Sequence, residues 1–105
     1  MKIVNLTPHT LNIQNASGEM ITIPSTGLAR CKVESFSDGT YAGINLYTVR
    51  YGAVEGLPDN DGDAIYVVSM LVRNAVPARY DVFSPGELIR DEKGNPIGCI
   101  GLIGN

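Results

Sequence analysis

One stretch of the chain, residues 64–85, holds the side chains best suited to binding an anion. Ser69 follows an apolar segment and opens a predicted helix, while Arg79 and Asp81 follow that helix, two residues apart. A serine at this position is first of all an N-cap, but the free N–H groups of a first helical turn also attract phosphate. An arginine side chain holds a phosphate or carboxylate with two parallel hydrogen bonds. We therefore predict a ligand site at Ser69, Met70, Arg79 and Asp81, with the negative charge of the ligand at the helix start and within reach of Arg79.

The sequence also allows a simpler role for the charged pair and suggests two further site residues. Arg79 and Asp81, placed on one face of a predicted strand, could simply form a surface ion pair of little energetic value. Arg90, in a predicted terminal hairpin, could add a second cation to the site. His9 is the single histidine of the chain. It either lines a pocket or belongs to a tight Thr-Pro-His turn whose side chains bond the backbone.

Motifs for catalysis or metal binding are missing from the sequence. The chain has no Gly-x-Ser-x-Gly elbow and no Gly-x-x-x-x-Gly-Lys loop. A lone histidine does not make a typical zinc site. The acidic segment 59–63 departs from the spacing of an EF-hand loop, because Gly62 falls before the third aspartate and position 12 is Met70. We expect a solvated turn there, and a protein without enzymatic activity, metal or cofactor.

Length and charge restrict the function further. A chain of 105 residues fits one domain, residues 1–105. Its net charge of -3 argues against general nucleic-acid binding and against docking on anionic membranes, but two or three local cations suffice for a small anion. Neither a signal peptide nor an apolar run of about 20 residues is visible, which favours a cytoplasmic protein. Cys31 and Cys99 lie in apolar surroundings, and we expect both to be reduced core residues.

The elements that must position these residues are mostly short strands. Ser69 to Ala75 is predicted to be helical, with Pro77 ending the helix. Turns are predicted at 37–40 and 84–86. Alternating apolar residues predict nine short extended segments, near residues 2–6, 11–14, 20–23, 28–36, 44–51, 65–68, 80–83, 87–90 and 96–103, and we expect about eight strands from them. This pattern indicates a mainly-β fold, a small barrel or sandwich with the helix plugging one end.

Several short motifs carry a family resemblance along nearly the whole chain. They are Asn5-Leu6-Thr7-Pro8-His9, Ala29-Arg30, Gly56-Leu57-Pro58, Tyr66-Val67-Val68-Ser69, Arg79-x-Asp81-x-x-x-Pro85, and Arg90-Asp91-x-x-Gly94-x-x-x-Gly98-Cys99. Together they resemble a family of small phage and prophage proteins of uncharacterised function. The resemblance implies a viral, cytoplasmic, stand-alone domain. In context, such proteins are similar to anti-defence sponges that sequester nucleotide immune signals.

These observations favour a non-enzymatic protein that captures a small phosphorylated ligand, such as a cyclic nucleotide or an ADP-ribose-type signal. We expect a homo-oligomer, because a chain of this size can hardly enclose a nucleotide alone. The alternatives are a module that binds a host or virion protein through a strand edge, a minor virion component, and an enzyme with His9 as general base.

Overall fold

The computed structural model describes residues 2–105, and these residues form eight strands and one helix. The mainly-β prediction is therefore confirmed. The elements are β1 Lys2–Asn5, β2 Leu11–Gln14, β3 Met20–Ile23, β4 Arg30–Tyr41, β5 Ile44–Glu55, β6 Ala64–Val67, α1 Met70–Ala75, β7 Val82–Arg90 and β8 Pro96–Gly104.

Six of the strands form one mixed sheet in the order β1-β6-β7-β8-β2-β3. β1, β6 and β7 run parallel to one another, β8 is antiparallel to β7, and β2 is parallel to β8. The two outer strands nearly meet, because Asn5 forms a bridge with Ser25 just beyond β3, and Thr26 N donates to Asn5 O at 3.0 Å. The sheet is thus a nearly closed, barrel-like structure.

The core forms where β6 meets α1. β6 is an uninterrupted apolar segment, as expected for a strand buried on both faces. Val67 and Val68 are fully buried, and Val72 of the helix is almost so. α1 links the end of β6 to the start of the parallel β7, which is the ordinary role of a crossover helix. The helix ends before Pro77, as predicted.

The remaining two strands, β4 and β5, pair only with each other and form a long hairpin. The predicted turn at 37–40 is wrong. Gly39 has a φ of 82°, but this positive φ falls at a shift in strand register between Ser37 and Thr40. The β4–β5 ladder continues on both sides of the shift. The chain reverses instead at Ala42 and Gly43, whose φ values of 50° and 81° suit a two-residue hairpin loop.

The predicted turn at 84–86 is also wrong, because β7 runs without interruption from Val82 to Arg90. β6 pairs with β7 only as far as Phe83, so Pro85 lies beyond the end of the β6–β7 pairing. A proline, which lacks a backbone N–H, therefore removes no hydrogen bond between β7 and β6. Gly86 allows the close approach of β8, since a Cβ there would collide with Ile100 O.

The hairpin gives the molecule an extended shape of 50 × 40 × 20 Å. The radius of gyration is 16.4 Å, whereas a compact domain of this length has a radius of about 13 Å. Within residues 2–105, no helix is long and apolar enough to cross a membrane.

Candidate functional site

Arg79 and Asp81 form a closed ion pair. Arg79 Nε donates to Asp81 Oδ1 and Arg79 Nη2 donates to Asp81 Oδ2, each at 2.8 Å. Arg79 Nη2 also donates to the backbone oxygen of Pro58 at 2.8 Å. The hydrogen bonds from Arg79 lower the pKa of the Asp81 carboxyl, and the same contacts raise the pKa of the arginine. Both residues precede β7, so the prediction that they lie within a strand is wrong.

Ser69 is an N-cap. Its Oγ accepts a hydrogen bond from Val72 N at 3.3 Å, and its own backbone is extended. The next residue, Met70, begins a helix of only six residues and has a side chain that is 64% exposed. The serine hydroxyl therefore has the local capping role that its position predicts.

Ser69 and Arg79 lie at different levels along the β6–β7 pair. Tyr66 N donates to Asp81 O, so the backbone of Asp81 lies beside the third residue of β6, and Arg79 comes before it. Ser69 lies three residues, or about 10 Å, beyond Tyr66 in the direction in which β6 runs. Arg79 N donates to Val76 O, beyond the C-terminal end of α1. The structure thus does not bring the helix start and the arginine together.

The Thr-Pro-His turn is fixed by one fully buried side chain, that of Asn5. Asn5 Nδ2 donates to His9 O at 2.8 Å and to Ile23 O at 2.9 Å. Asn5 Oδ1 accepts from Thr7 N at 2.9 Å and from the Thr7 hydroxyl at 2.6 Å. This network ties β1, the turn and β3 together, and it fixes the backbone that carries His9.

His9 also lines an open groove of about 390 Å³. The residue thus belongs to the tight turn and at the same time lines a pocket. The polar side chains of the groove belong to His9, Thr10 and Asn12, and its walls are mostly apolar. The apolar lining residues are Leu11, Pro85, Leu88, Pro96, Ile97 and Cys99, with Gly98 between them. This combination of an apolar wall with a few polar groups is typical of small-molecule sites.

Gly98 allows β2 and β8 to lie close together beneath the groove. A Cβ at this position would stand 2.7 Å from Asn12 O and 2.6 Å from the terminal methyl group of Met20. β2 and β8 therefore approach each other at this point as only a glycine permits.

Arg90 does not line the groove but is next to it in the sheet. It is the strand partner of Pro96, a lining residue. Its Nη1 donates to Gly94 O at 2.9 Å, and within residues 2–105 it forms no ion pair with a carboxylate. Of the predicted site residues, His9 and Arg90 thus lie at or beside the same groove, whereas Ser69, Met70, Arg79 and Asp81 lie elsewhere.

Sequence reasoning did not identify most of the groove. Its residues come from 9–12 at one end of the chain and from 85–99 at the other, and the β2–β8 pairing brings them together. Leu88 and Ile97 look like ordinary strand residues in the sequence. The one available signal in the sequence was the apolar composition of both strands of the terminal hairpin.

The acidic segment forms a turn that bonds to its own backbone. Asp61 Oδ1 accepts from Asp63 N at 2.9 Å and from Ala64 N at 3.1 Å, and the hydrogen bond from Asp63 is the main cause of the lowered pKa of Asp61. No group of three or more metal-ligating side chains occurs within residues 2–105. Cys31 and Cys99 are free thiols, with Cys99 buried and Cys31 half-buried.

In comparisons with known proteins, no family model, curated protein or solved structure matches this chain.

Proposed function

We propose that the protein is a non-enzymatic binding protein that captures a small nucleotide-like ligand in the His9 groove. The observation that carries this proposal is the groove itself, whose volume of about 390 Å³ lies within the roughly 300–1,000 Å³ of ordinary small-molecule sites. Its apolar walls suit the flat face of a base, and its few polar groups suit hydrogen bonds to the base edge.

The polar groups have distinct roles in this proposal. Asn12 Oδ1 accepts from the Thr22 hydroxyl at 2.9 Å, and Asn12 Nδ2 donates to Ile97 O at 3.5 Å. The amide keeps one further N–H and one further lone pair for a base. The His9 ring has two nitrogens, and a neutral imidazole can both donate and accept a hydrogen bond.

Arg90, next to the groove in the sheet, has hydrogen-bonding capacity beyond its bond to Gly94 O and can pair with a phosphate. The cation that we assign to the phosphate is therefore Arg90 rather than Arg79, which is already paired with Asp81.

Capture without turnover fits the viral context that the sequence resemblance implies. A phage protein of this kind would lower the free concentration of a host signalling nucleotide and so counter antiviral defence. Cyclic nucleotides and ADP-ribose isomers are the ligand classes proposed.

Thermal unfolding in the presence of cyclic dinucleotides and ADP-ribose isomers tests this proposal. A ligand at 100 times its dissociation constant stabilises the native state by about 2.7 kcal/mol, which raises the melting temperature of a domain this size by roughly 10–20 °C. Titration calorimetry then gives the stoichiometry. No stabilisation by any of these compounds would contradict the proposal.

Two matched variants locate the site. Leu88 lines the groove and Ile100 does not, yet each is 50% exposed. Leu88→Ser should weaken binding at least 10-fold by removing apolar contact area, whereas Ile100→Ser should leave it within about 2-fold. Equal effects of the two changes would place the ligand elsewhere.

A third measurement separates capture from catalysis. The protein is incubated with the bound compound, then denatured, and the released compound is identified by mass spectrometry. Quantitative recovery of the intact ligand is expected. Recovery of a product would favour the alternative in which His9 acts as a general base.

A further inference from the structure

We call the part of the hairpin that extends from the barrel the arm; it consists of residues 33–37 and 47–51. Two residues that face each other in a strand ladder project from the same side, and the pairs here are Val33 with Tyr51, Ser35 with Val49, and Ser37 with Tyr47. These six residues form the uncharged face of the arm. The opposite face carries Glu34 paired with Arg50, and Phe36 paired with Thr48.

Among residues 2–105, the large side chains of the uncharged face are substantially exposed. The exposed fractions are 38% for Val33, 51% for Val49, 45% for Tyr51 and 62% for Tyr47. The arm is attached at its base, where Cys31 and Val54 pack against the core. Beyond this point β4 and β5 bond only to each other, and a lone two-stranded ribbon is marginally stable in water. The arm therefore needs a partner surface.

We propose that the uncharged face of the arm docks against the same face of a second copy of this chain. The composition of the face fits the centre of an interface, which is depleted of charge and enriched in tyrosine. Because the face carries no charged side chain, two copies of it can pack together without repulsion between like charges.

The shape of the face favours a two-fold arrangement. Val33, Ser35 and Ser37 make the β4 half low, whereas Tyr47, Val49 and Tyr51 make the β5 half high. A two-fold axis along the arm places the high half of each copy over the low half of the other. The two arms then run in the same direction, with Ser35 of one copy above Val49 of the second.

The uncharged face is large enough for a small interface. Each of its two strand segments has five residues and spans about 17 Å. A buried aromatic side chain covers about 150–250 Å², so Tyr47 and Tyr51 with their neighbours supply on the order of 500 Å² per partner, about 1,000 Å² in total, which is the lower end of specific interfaces. The tip residues Tyr41 and Ile44 alternate with this set along the strands and lie on the opposite face.

A second copy is favoured over an unrelated protein because the arm must be covered whenever the chain folds. Only another molecule of the same chain is always present in equal amount. This proposal concerns a surface separate from the His9 groove, so it can succeed or fail independently of the proposed function.

Sedimentation velocity of the full chain between about 1 and 100 µM tests the proposal. We expect a dimer or a larger even assembly that Val49→Lys converts to monomer, with a dissociation constant raised on the order of 100-fold or more, because two lysines would be buried without partners. The matched control is Thr48→Lys, which places the same charge on the opposite face and should leave the assembly intact.

Circular dichroism shows whether each variant is folded. If Val49→Lys fails to fold, Val49→Ser replaces it and should raise the dissociation constant at least 10-fold. A monomeric wild-type chain at 100 µM would overturn the proposal. An assembly that survives the change at Val49, or that is lost equally with Thr48→Lys, would also overturn it.

Cross-linking tests the orientation of the arms. Ser35→Cys and Val49→Cys proteins are prepared separately, mixed, and treated with a bismaleimide of about 10 Å span, the spacing of packed sheets. Mass spectrometry should identify the link between the two introduced thiols in the mixture and at most traces of like-to-like links in either sample alone. A preponderance of like-to-like links would exclude the two-fold axis along the arm.

Discussion

The carboxylate of Asp81 receives both of its closest hydrogen bonds from Arg79, at 2.8 Å each. Asp81 is only 8% exposed and Arg79 is 25% exposed, so the pair lies at the edge of the core. Asp81 O also accepts from Tyr66 N at the start of the β6–β7 pairing. The pair therefore anchors the segment that leads from α1 into β7, and its charges are used within the chain.

Asp81→Asn should make the stability of the protein less dependent on acid. The folded-state pKa of Asp81 lies below its unfolded value, so its contribution is complete above about pH 4 and is lost as the pH falls through the folded-state pKa. We expect the variant to be roughly 1–3 kcal/mol less stable at pH 7. This difference should shrink below pH 4.

Urea unfolding at pH 7 and in steps below pH 4 measures this effect. Asp61 also has a lowered pKa, but it is present in both proteins and cancels in the difference. The matched control is Asp38→Asn, an exposed position in the hairpin, which should change stability by less than about 0.5 kcal/mol. Parallel acid profiles for wild type and Asp81→Asn would contradict the assigned role.

Asn5→Ala should destabilise the protein by at least about 2 kcal/mol, because it leaves buried partners of the amide without hydrogen bonds. Asn45→Ala changes the same residue type at an exposed position and should have little effect. Chemical denaturation compares the two. A loss below 0.5 kcal/mol at Asn5 would show that solvent replaces the network.

Gly86→Ala should cost roughly 3 kcal/mol or prevent folding, since the new methyl group would collide with Ile100 O and stand 2.8 Å from Gly101 O. The comparison is Gly52→Ala, where the closest atom is the Cβ of Lys32 at 3.2 Å and the backbone is further away. Melting temperatures of the two proteins should differ clearly. Equal melting temperatures would mean that β8 moves aside without cost.

Ala42→Asn should stabilise the hairpin by about 0.5–1 kcal/mol. Ala42 has a φ of 50°, which is unfavourable for alanine and tolerated by asparagine, and Asn-Gly is the preferred loop for this turn. Amide exchange of the arm measures the effect as slower exchange. Ala16→Asn, in a turn without positive φ at that residue, should give no such gain.

The sequence was sufficient where local pattern decides the structure. β2 and β3 have the predicted bounds, and Ser69 caps the helix that ends at Ala75. It failed at residues 37–40, where turn-forming residues lie inside a ladder because an irregular register accommodates Gly39. It also failed for the groove, since pairing between β2 and β8 joins distant parts of the chain. Non-local pairing of this kind leaves no periodic signal in either segment.

The order of the strands in the sheet has a consequence for how the chain folds. β1 pairs with β6 and β2 pairs with β8, so the barrel cannot close until the end of the chain is available. The hairpin β4–β5 is local and reverses over two residues, and such hairpins form within microseconds. We therefore expect amides of the hairpin to gain protection from hydrogen exchange before those around Cys99. During synthesis the hairpin, with its uncharged face exposed, would precede the barrel, and this interval is when the chain is most exposed to aggregation.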